Sequence, residues 1–493
     1  MRLRADATNP AAVEADVLAV PIYKEDADLT GDLGELDSAA GGAIRRAIEW
    51  GEFNILEHPS ALVDARDLPA GHLLLLNAGA RGRGAWRARR LAQVATRRLQ
   101  GRGARSLALW LRDGEGPDAW AAAAMGAVSG TYRSTAVYGR VRDTEAMLRS
   151  LEEVIVLGGD QAALDLGTEV GEGIVFSRDL ANRSANDLSP ERMAEVAREL
   201  KADGCTVEVL EPAEMEKLGM GLLLGVGQGA DHPPRLIAVK LPGWSAASKE
   251  RRLAIVGKGV CFDSGGLSIK PSENMGDMKL DKSGAAAVIA AARTVARLAP
   301  DTPLMAVAPM VENMPGGNAQ RPGDVVKAMN GMTVEVTNTD AEGRLILADA
   351  MTWAEREGAT HIVDVATLTG ACAIAFGDLV SAYFTRSETD DWGEAVRAAA
   401  DASGEWFWRM PLVTEYRVAY DSPYADIVNS GSRDGSLIKA AVFLSEFVTV
   451  PWVHVDIAGT AYLGAEKPYG PKGATGSAVS TLVRLALDFA SAP

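Results

Sequence analysis

Residues 253–270 read LAIVGKGVCFDSGGLSIK, an apolar run followed by a polar, glycine-rich loop. The apolar run predicts a buried strand, and the loop carries Lys258, Asp263 and Lys270. In open α/β sheets, ligands bind beyond the carboxyl ends of such strands. The stretch therefore predicts an α/β fold with a functional site at this edge of a sheet.

The second part of the chain alternates apolar, strand-like runs with helical patterns. Strands are predicted at 205–210, 235–241, 252–259, 304–311, 333–338, 361–367 and 452–459, and helices at 283–298, 343–357 and 436–448. Ser189 and Pro190 fit a helix start, because serine caps helices and proline suits their first position. We expect a larger α/β domain over 189–493, with a central mixed sheet that carries the site.

The first part of the chain shows a similar alternation on a smaller scale. Strands are predicted at 16–20, 72–77, 106–111 and 153–158, and helices at 37–50, 85–100 and 117–130. Residues 161–188 have apolar positions at near-helical spacing. We therefore expect a smaller N-terminal α/β domain over 1–160, joined to the larger domain by a connecting helix over 161–188.

The composition excludes several classes of protein. The 493 residues are 47% hydrophobic and 24% charged, as in ordinary globular proteins. No apolar stretch approaches the roughly 18 residues of a membrane span, and the N-terminus lacks the apolar region of a secretory signal, so we expect a cytoplasmic location. The three cysteines are far apart without CxxC spacing, which supports neither a disulfide framework nor a cysteine zinc site.

The net charge of −16 argues against nucleic acid as the main partner, because phosphate backbones are bound by surplus Lys and Arg. One local exception is the stretch 81–105, which carries nine arginines and no acid. It could contact phosphates or an acidic subunit face, or it could be a solvated helix face or intersubunit patch. The sequence leaves these alternatives open.

Carboxylates gather in two further loops. Asp340, Glu342 and Arg344 stand at alternate positions after a predicted strand, where extended backbone would point them the same way. Asp281 precedes an alanine-rich helix. Adjacent acids repel unless a cation lies between them, and carboxylate oxygens bind divalent metals. A metal site is favoured, although a surface ion-pair loop and a helix-capping role for Asp281 remain alternatives.

The third loop follows the strand predicted at 361–367 and reads Thr367, Leu368, Thr369, Gly370, residues suited to offering backbone hydrogen bonds to a substrate. The five histidines are isolated, and neither HExxH nor G-x-S-x-G occurs. A histidine-bound zinc and a serine nucleophile are therefore disfavoured. Hydrolysis by metal-bound water fits the residues better.

The strings NTDAEGRL at 338–345 and VGKGVCFDSGGLSIKP at 256–271 resemble the leucine aminopeptidase (cytosol aminopeptidase) family. The resemblance extends through RDLANRSANDLSPERMAE at 178–195, MKLDKSGAAAV at 278–288 and VDVATLTGA at 363–371, and so from Arg178 to the C-terminus. The first part matches more weakly: where the family has an aromatic-rich segment, this chain reads TYRSTAVYGR at 131–140.

This resemblance implies a metal-dependent aminopeptidase with two divalent ions, zinc or manganese, with magnesium or cobalt as alternatives. One ion would be held by Lys258, Asp263, Asp281 and Glu342. The other would take Asp263, Asp340 and Glu342, Asp340 binding through its side chain and its backbone carbonyl. Lysine must bind as a neutral amine, so low pH should empty its site.

The resemblance also implies the remaining roles. The peptide's amino group would dock beside Asp281, Lys270 would polarise the scissile carbonyl, and Arg344 would hold a bicarbonate ion as general base. The pocket for the first side chain and the peptide would be shaped by Met278, Thr367, Leu368, Gly370, Ala458 and Ala461. Plain core packing is the alternative for Met278.

Leucine would be preferred within a broad range of peptide substrates, and the small Ala461 suggests room for bulkier side chains. The family typically forms homohexamers. An additional DNA-binding or regulatory role through the arginine-rich stretch is the alternative function. A two-metal phosphoesterase lacks its usual histidines and leaves Lys258 unexplained.

Overall fold

The computed structural model describes residues 1–26, 28–112, 116–133, 151–246 and 251–491. The chain divides into two compact units, Met1–Val175 with Asp401–Gly404 and Ala465–Lys472, and Phe176–Ala400 with Glu405–Gly464 and Gly473–Pro493. A helix at Gln161–Asn182 covers most of the segment predicted to connect two domains. Among the described helices, none has the length and apolar character needed to cross a membrane. Residues 134–140 of the atypical segment lie outside the described ranges.

The first unit contains a six-stranded sheet. In spatial order its strands are Arg2–Asp6, Glu153–Leu157, Ser106–Trp110, Val17–Tyr23, Gly71–Gly79 and Ser60–Ala65. Neighbouring strands are parallel except at one edge, where Ser60–Ala65 runs antiparallel to Gly71–Gly79. The edge strand alternates buried and exposed residues, whereas Val17–Tyr23 is buried throughout, as expected of a central parallel strand.

Helices of the first unit lie at Gly31–Ala39, Ala43–Glu49, Gly84–Leu99 and Pro117–Gly130, with a 3₁₀ turn at Pro10–Ala12. The prediction of one helix over 37–50 was wrong, because Gly41 and Gly42 have φ values of 61° and 81° and interrupt it. Glycine adopts this left-handed conformation without steric cost, and a helix cannot continue through it.

The second unit is built on a nine-stranded mixed sheet. Its path is Phe407–Arg409, Ser381–Thr385, Trp452–Asp456, His361–Ala366, Leu253–Gly257, Leu304–Asn313, Arg235–Lys240 and Thr206–Leu210, and Gly259–Asp263 pairs with Leu304–Asn313 off this path. The four central strands, from Trp452–Asp456 to Leu304–Asn313, are mutually parallel. Their carboxyl ends therefore share one edge, where Lys258, Thr367 and Asn313 stand.

The described residues of the second unit also form two small sheets. Asp324–Lys327, Thr333–Val336 and Ile427–Val428 form one, and Tyr462–Leu463 pairs with Gly473–Ala474 in the other. The strand predicted at 333–338 is thus outside the central sheet, contrary to expectation. Its apolar pattern does not specify a partner, and its ladders run to strands at 324–327 and 427–428.

Several helices of the second unit pack against this central sheet. The α-helices are Pro190–Glu199, Pro212–Leu218, Gly221–Gly227, Pro242–Ala246, Ser283–Leu298, Glu342–Arg356, Gly370–Phe376, Asp390–Ala402, Ser436–Ser445 and Val479–Ser491. The 3₁₀ helices are Leu200–Asp203, Met275–Leu280, Ser387–Thr389 and Thr414–Tyr420. Ser189 caps the α-helix Pro190–Glu199 by accepting a hydrogen bond from the N–H of Arg192, as its sequence pattern predicts.

A close backbone approach brings two loops of the site together. A Cβ atom on Gly257 would lie 2.3 Å from the carbonyl oxygen of Gly284, and a Cβ on Gly284 would lie 2.8 Å from the backbone nitrogen of Lys258. Only glycine permits this contact between the strand end and the start of helix Ser283–Leu298. The contact brings Asp281, two residues before that helix, towards Lys258.

All three cysteines are buried and free. Burial raises the pKa of the Cys205 thiol to about 11, and it raises the pKa values of Cys261 and Cys372 to about 12. A buried thiol of this kind packs as a small apolar side chain.

Candidate active site

Lys258 stands between the strands Leu253–Gly257 and Gly259–Asp263 and is 3% exposed. Its Nζ lies 2.9 Å from Oδ2 of Asp281 and 2.8 Å from Oε1 of Glu342. It also donates a hydrogen bond to the carbonyl oxygen of Thr367 at 2.9 Å. One ammonium group thus joins all three loops that the sequence analysis singled out.

Lys270 forms a second centre of positive charge in the same site. Its Nζ lies 2.8 Å from Oδ2 of Asp263 and also contacts Oδ1 of Asp340. The other oxygen of Asp263 accepts hydrogen bonds from the N–H of Gly265 at 2.9 Å and from Nδ2 of Asn313 at 2.8 Å. Asn313 ends a central strand, so the sheet edge itself orients the Asp263 carboxylate.

Asp340, Glu342 and Arg344 are not in extended backbone, as their alternate spacing had suggested. Asp340 lies in a turn, and Glu342 opens the helix Glu342–Arg356, which also contains Arg344. The helix dipole favours a carboxylate at this first position. Despite the different backbone, carboxylate oxygens of Asp263, Asp340 and Glu342 all lie within 4.8 Å of one another, an arrangement that could hold a metal ion.

The charges in the cluster perturb one another strongly. Burial, reinforced by the charge of Asp263, raises the pKa of Glu342 to about 8, and burial raises the pKa of Asp281 to about 6. Burial also raises the pKa of Asp340. Burial alone would lower the pKa of Lys258, but the charges of Asp281 and Glu342 outweigh it and raise that pKa above its ordinary value. Additional positive charge would therefore stabilise the carboxylates.

Several carboxylate oxygens remain available for a cation. Within the described residues, Oε2 of Glu342 is buried and has no hydrogen-bond partner. In the same part of the chain, Oδ2 of Asp281 and Oδ1 of Asp340 also lack a hydrogen bond of normal geometry, and each lies beside a lysine ammonium group. Buried oxygens without partners are costly, and hard divalent cations prefer such ligands. The donor set fits a metal centre.

Arg344 is 8% exposed and points towards the same cavity. Its Nη1 donates to the hydroxyl of Tyr420 at 3.0 Å and to the carbonyl oxygen of Asn429 at 2.9 Å. In the described part of the chain, its Nε is buried without a partner. The guanidinium is thus held in place through Nη1, while its Nε–H remains available as a hydrogen-bond donor to a ligand. Tyr420 and Asn429 were not identified from the sequence.

Gly343 separates two of these functional residues. A Cβ atom here would lie 2.7 Å from Cε of Lys258 and 2.8 Å from its Nζ. Because real Cβ atoms essentially never approach so closely, Lys258 could not keep its position beside any other residue at 343. Glycine at position 343 is therefore needed to leave space for the side chain of Lys258.

The loop Thr367–Gly370 is anchored by hydrogen bonds to the carboxylate of Asp456, which is fully buried. The carboxylate of Asp456 accepts hydrogen bonds from the N–H groups of Leu368, Thr369 and Ala458 at 3.2, 3.1 and 3.0 Å, and from the Thr369 hydroxyl at 2.7 Å. Thr367 in turn donates to Oδ1 of Asp281 at 2.6 Å. Asp456 ends a central strand, so the strand-end rule could have found it.

The charged centre opens into a cavity of about 600 Å³. Every metal-ligating and catalytic residue expected from the sequence lies on its wall, and so do Met278, Thr367, Leu368, Gly370 and Ala458. Ala461 is 1% exposed, and its neighbour Tyr462 lines the cavity instead. Sequence reasoning missed Tyr462, Asp277, Asn338, Ile374 and Arg433, which are also on the wall.

Comparison with known proteins gives concordant results. A family model described as the catalytic domain of the cytosol aminopeptidase family matches residues 175–483. A protein of Solibacter usitatus (strain Ellin6076), called probable cytosol aminopeptidase, is 45% identical over 487 residues, 97% of each chain. One of the same name from Geobacter sp. (strain M21) is 39% identical over 494 residues, 98% of this chain and 99% of the relative.

Solved structures are similar over nearly the whole chain. A mutant of tomato leucine aminopeptidase has a TM-score of 0.85 and 31% identity, with 99% of this chain and 96% of that chain covered. The bottromycin maturation enzyme BotP in complex with Mn has a TM-score of 0.80 and 35% identity, with 97% and 100% covered. These similarities confirm the predicted α/β fold and the predicted family.

Proposed function

The chain belongs to the cytosol aminopeptidase family, whose members are metal-dependent exopeptidases, and on this premise we propose that its cleft removes N-terminal residues from peptides with two metal ions. Leucine is the preferred residue within a broad range. The observation that carries the proposal is the convergence of Asp263, Asp340 and Glu342, whose oxygens lie within 4.8 Å. The orphaned Oε2 of Glu342 adds a ligand atom.

Lys258, Asp263, Asp281 and Glu342 would hold one ion, and Asp263, Asp340 and Glu342 the other. Zinc or manganese is proposed, with magnesium or cobalt as alternatives, because oxygen and amine ligands accept each of them. When bound, two such ions supply an activated water and polarise a carbonyl. Lys258 must release its proton to become a ligand, and a divalent ion supplies the charge that offsets the loss.

The chain's own residues then orient the substrate. Asp281 faces the peptide's ammonium group, while Lys270, held between two carboxylates, reaches the scissile carbonyl oxygen as a hydrogen-bond donor. Arg344 would hold a bicarbonate ion as general base. Its unpartnered Nε and its tethered Nη1 support that role, since a planar guanidinium binds carboxylate-like anions in pairs of hydrogen bonds.

The substrate's first residue would lie against Met278, Thr367 and Ala458. Ala461 does not itself line the cavity, and its small size is proposed to leave room for side chains bulkier than leucine. Backbone groups of Leu368 and Gly370 would bind the peptide. We expect a broad profile, and strict preference for small residues would contradict this part of the proposal. A homohexamer in the cytoplasm is the proposed state of the protein.

The test is release of leucine from leucyl-p-nitroanilide by metal-stripped protein, restored with zinc or manganese. Asp340→Ala and Glu342→Ala should each abolish the metal-dependent turnover. Glu394→Ala removes an exposed carboxylate paired with Arg397 and should leave turnover unchanged. Inactivity of folded, metal-loaded protein on a panel of dipeptides would refute the proposal.

A second candidate, binding of nucleic acid, is favoured by one observation in the first unit. A cavity of about 610 Å³ there is lined by four basic residues, Arg97, Arg98, Arg102 and Lys467. The acidic residue Glu466 also lines it and pairs with Arg97. DNA binding at physiological salt that is lost in an Arg98→Ala, Arg102→Ala double variant would support this function. Binding seen only at low salt, or unaffected by the double variant, would refute it.

A further inference from the structure

The charges lining the catalytic cavity are unevenly engaged. Lys258 and Lys270 are each paired with two carboxylates, and Arg344 donates to Tyr420 and to a backbone carbonyl. Arg433 lines the same cavity and is exposed. Among the described residues, its guanidinium has no hydrogen bond or ion pair. It is therefore a positive charge free to meet a ligand.

The backbone that carries Arg433 is held in place. Lys439, which is 4% exposed, donates from Nζ to the hydroxyl of Ser432 at 2.7 Å and contacts Oδ2 of Asp434 at 3.2 Å. The carbonyl oxygen of Arg433 itself accepts a hydrogen bond from the N–H of Ser436. Both neighbours of Arg433 are thus tied to one buried ammonium group, and Asp434 is engaged by Lys439.

The wall around Arg433 differs from the rest of the cavity. The wall residues closest to it in sequence are Ser430, Gly431, Ser432 and Ser436, which are uncharged, whereas the carboxylates on the wall come from other segments of the chain. A cavity of about 600 Å³ accommodates a ligand of dipeptide or tripeptide size. Such a peptide carries its positive charge at one end and its negative charge at the other.

We propose that Arg433 binds a carboxylate of the substrate on the leaving-group side of the scissile bond, so that the enzyme favours short peptides with a free C-terminus. This inference rests on the proposed aminopeptidase function. An acidic side chain beyond the scissile bond offers the same chemistry, and the experiment distinguishes the two sources. Arginine suits this role because its planar fork matches a carboxylate.

The experiment compares kcat/KM for leucyl-glycine and leucyl-glycyl-glycine with the values for their C-terminal amides, using metal-loaded protein at low salt. The free acids should be better substrates by about two- to fivefold, the range of a solvent-accessible ion pair. Arg433→Ala should reduce this ratio to about one, and Arg433→Lys should retain part of it. Arg397→Ala, which removes an exposed arginine of a surface pair, should leave the ratio unchanged.

A second pair of substrates identifies the carboxylate. Leucyl-glycyl-aspartyl amide and leucyl-glycyl-asparaginyl amide differ only in the side-chain charge. A preference for the aspartyl peptide with none for free C-termini overturns the short-peptide form of the proposal. Equal turnover of acids and amides by the parent together with equal turnover of the aspartyl and asparaginyl peptides, or an undiminished ratio in Arg433→Ala, overturns the subsite. Both results leave the aminopeptidase function standing, whereas no turnover of any peptide overturns that function too.

Discussion

The buried carboxylate of Asp456 accepts a hydrogen bond from the backbone N–H of Leu368 at 3.2 Å, and the same carboxylate holds Ala458. The segments of the cavity wall that contain Leu368 and Ala458 are therefore both fixed by Asp456, which does not itself line the cavity. Asp456 is a positioning residue, because it acts on the substrate only through the loops it tethers.

Asp456→Asn should lower kcat/KM for leucyl substrates by about tenfold or more, since an amide nitrogen cannot accept the N–H bonds made to one carboxylate oxygen. Selectivity between leucyl and alanyl substrates should fall as well. Steady-state kinetics at pH 7.5, with metal content measured in parallel, provide the check.

Asp349→Asn is the matched control. Asp349 is also fully buried and accepts backbone N–H bonds, from Leu223 at 3.0 Å and Met329 at 2.8 Å. Its replacement should cost comparable stability and leave kcat/KM near the parent value. Equal kinetic losses in the two variants would show that Asp456 acts through stability alone.

Gly343→Ala should reduce activity more than tenfold and lower the metal content. The added methyl group would occupy the position of the Lys258 side chain, so the ammonium nitrogen would move away from its carboxylates. Gly317→Ala is the control, because a Cβ there has nothing within 4 Å. A Gly343→Ala protein with normal metal content and normal kcat would contradict the steric argument.

Metal should stabilise the fold as well as activate the site. An ion present at about 100 times its dissociation constant contributes about 2.7 kcal/mol, so the Tm should rise measurably when zinc or manganese is added to stripped protein. Glu342→Gln should lose this increase, while Glu394→Gln should keep it. Calorimetry with and without metal gives the comparison, and an undiminished rise in Glu342→Gln would exclude Glu342 as a ligand.

The pH dependence of stability contains a contribution from Asp349. Burial raises the pKa of this carboxyl to about 7, well above the ordinary value of an aspartate side chain. The folded state then binds more protons than the unfolded state between about pH 4 and 7, so this group makes folding less favourable as pH rises through that window.

The stability advantage of the parent over Asp349→Asn should accordingly shrink between pH 5 and pH 7.5, because asparagine does not ionise. Thermal unfolding of both proteins across that range measures it. A difference in Tm that stays constant with pH would mean that Asp349 keeps an ordinary pKa in the fold.

The sequence was sufficient to predict the charged centre. Lys258, Asp263 and Asp281 follow strand ends or precede helices, and local patterns show such positions well. It was also sufficient for the helix at Ser283–Leu298, whose predicted bounds agree with the structure. The predicted domain boundaries, the roles of individual ligands and the hexamer stay predictions.

Features that depend on distant contacts could not be predicted. Alternate spacing after a strand suggested extended backbone for Glu342, but its carboxylate begins a helix and meets Lys258, more than 80 residues earlier in the sequence. Tyr420 and Asn429 reach Arg344 from 76 and 85 residues away. No local pattern distinguishes these residues from others of their type.

The burial of Cys205, Cys261 and Cys372 bears on how the protein can be handled and monitored. Because burial raises the pKa of each thiol, the folded chain presents little thiolate to an oxidant or an alkylating reagent. A reagent can then modify each thiol only after the fold opens locally around that sulfur atom. The rate of thiol modification at each of these positions therefore records how often that part of the protein opens, without any engineered probe.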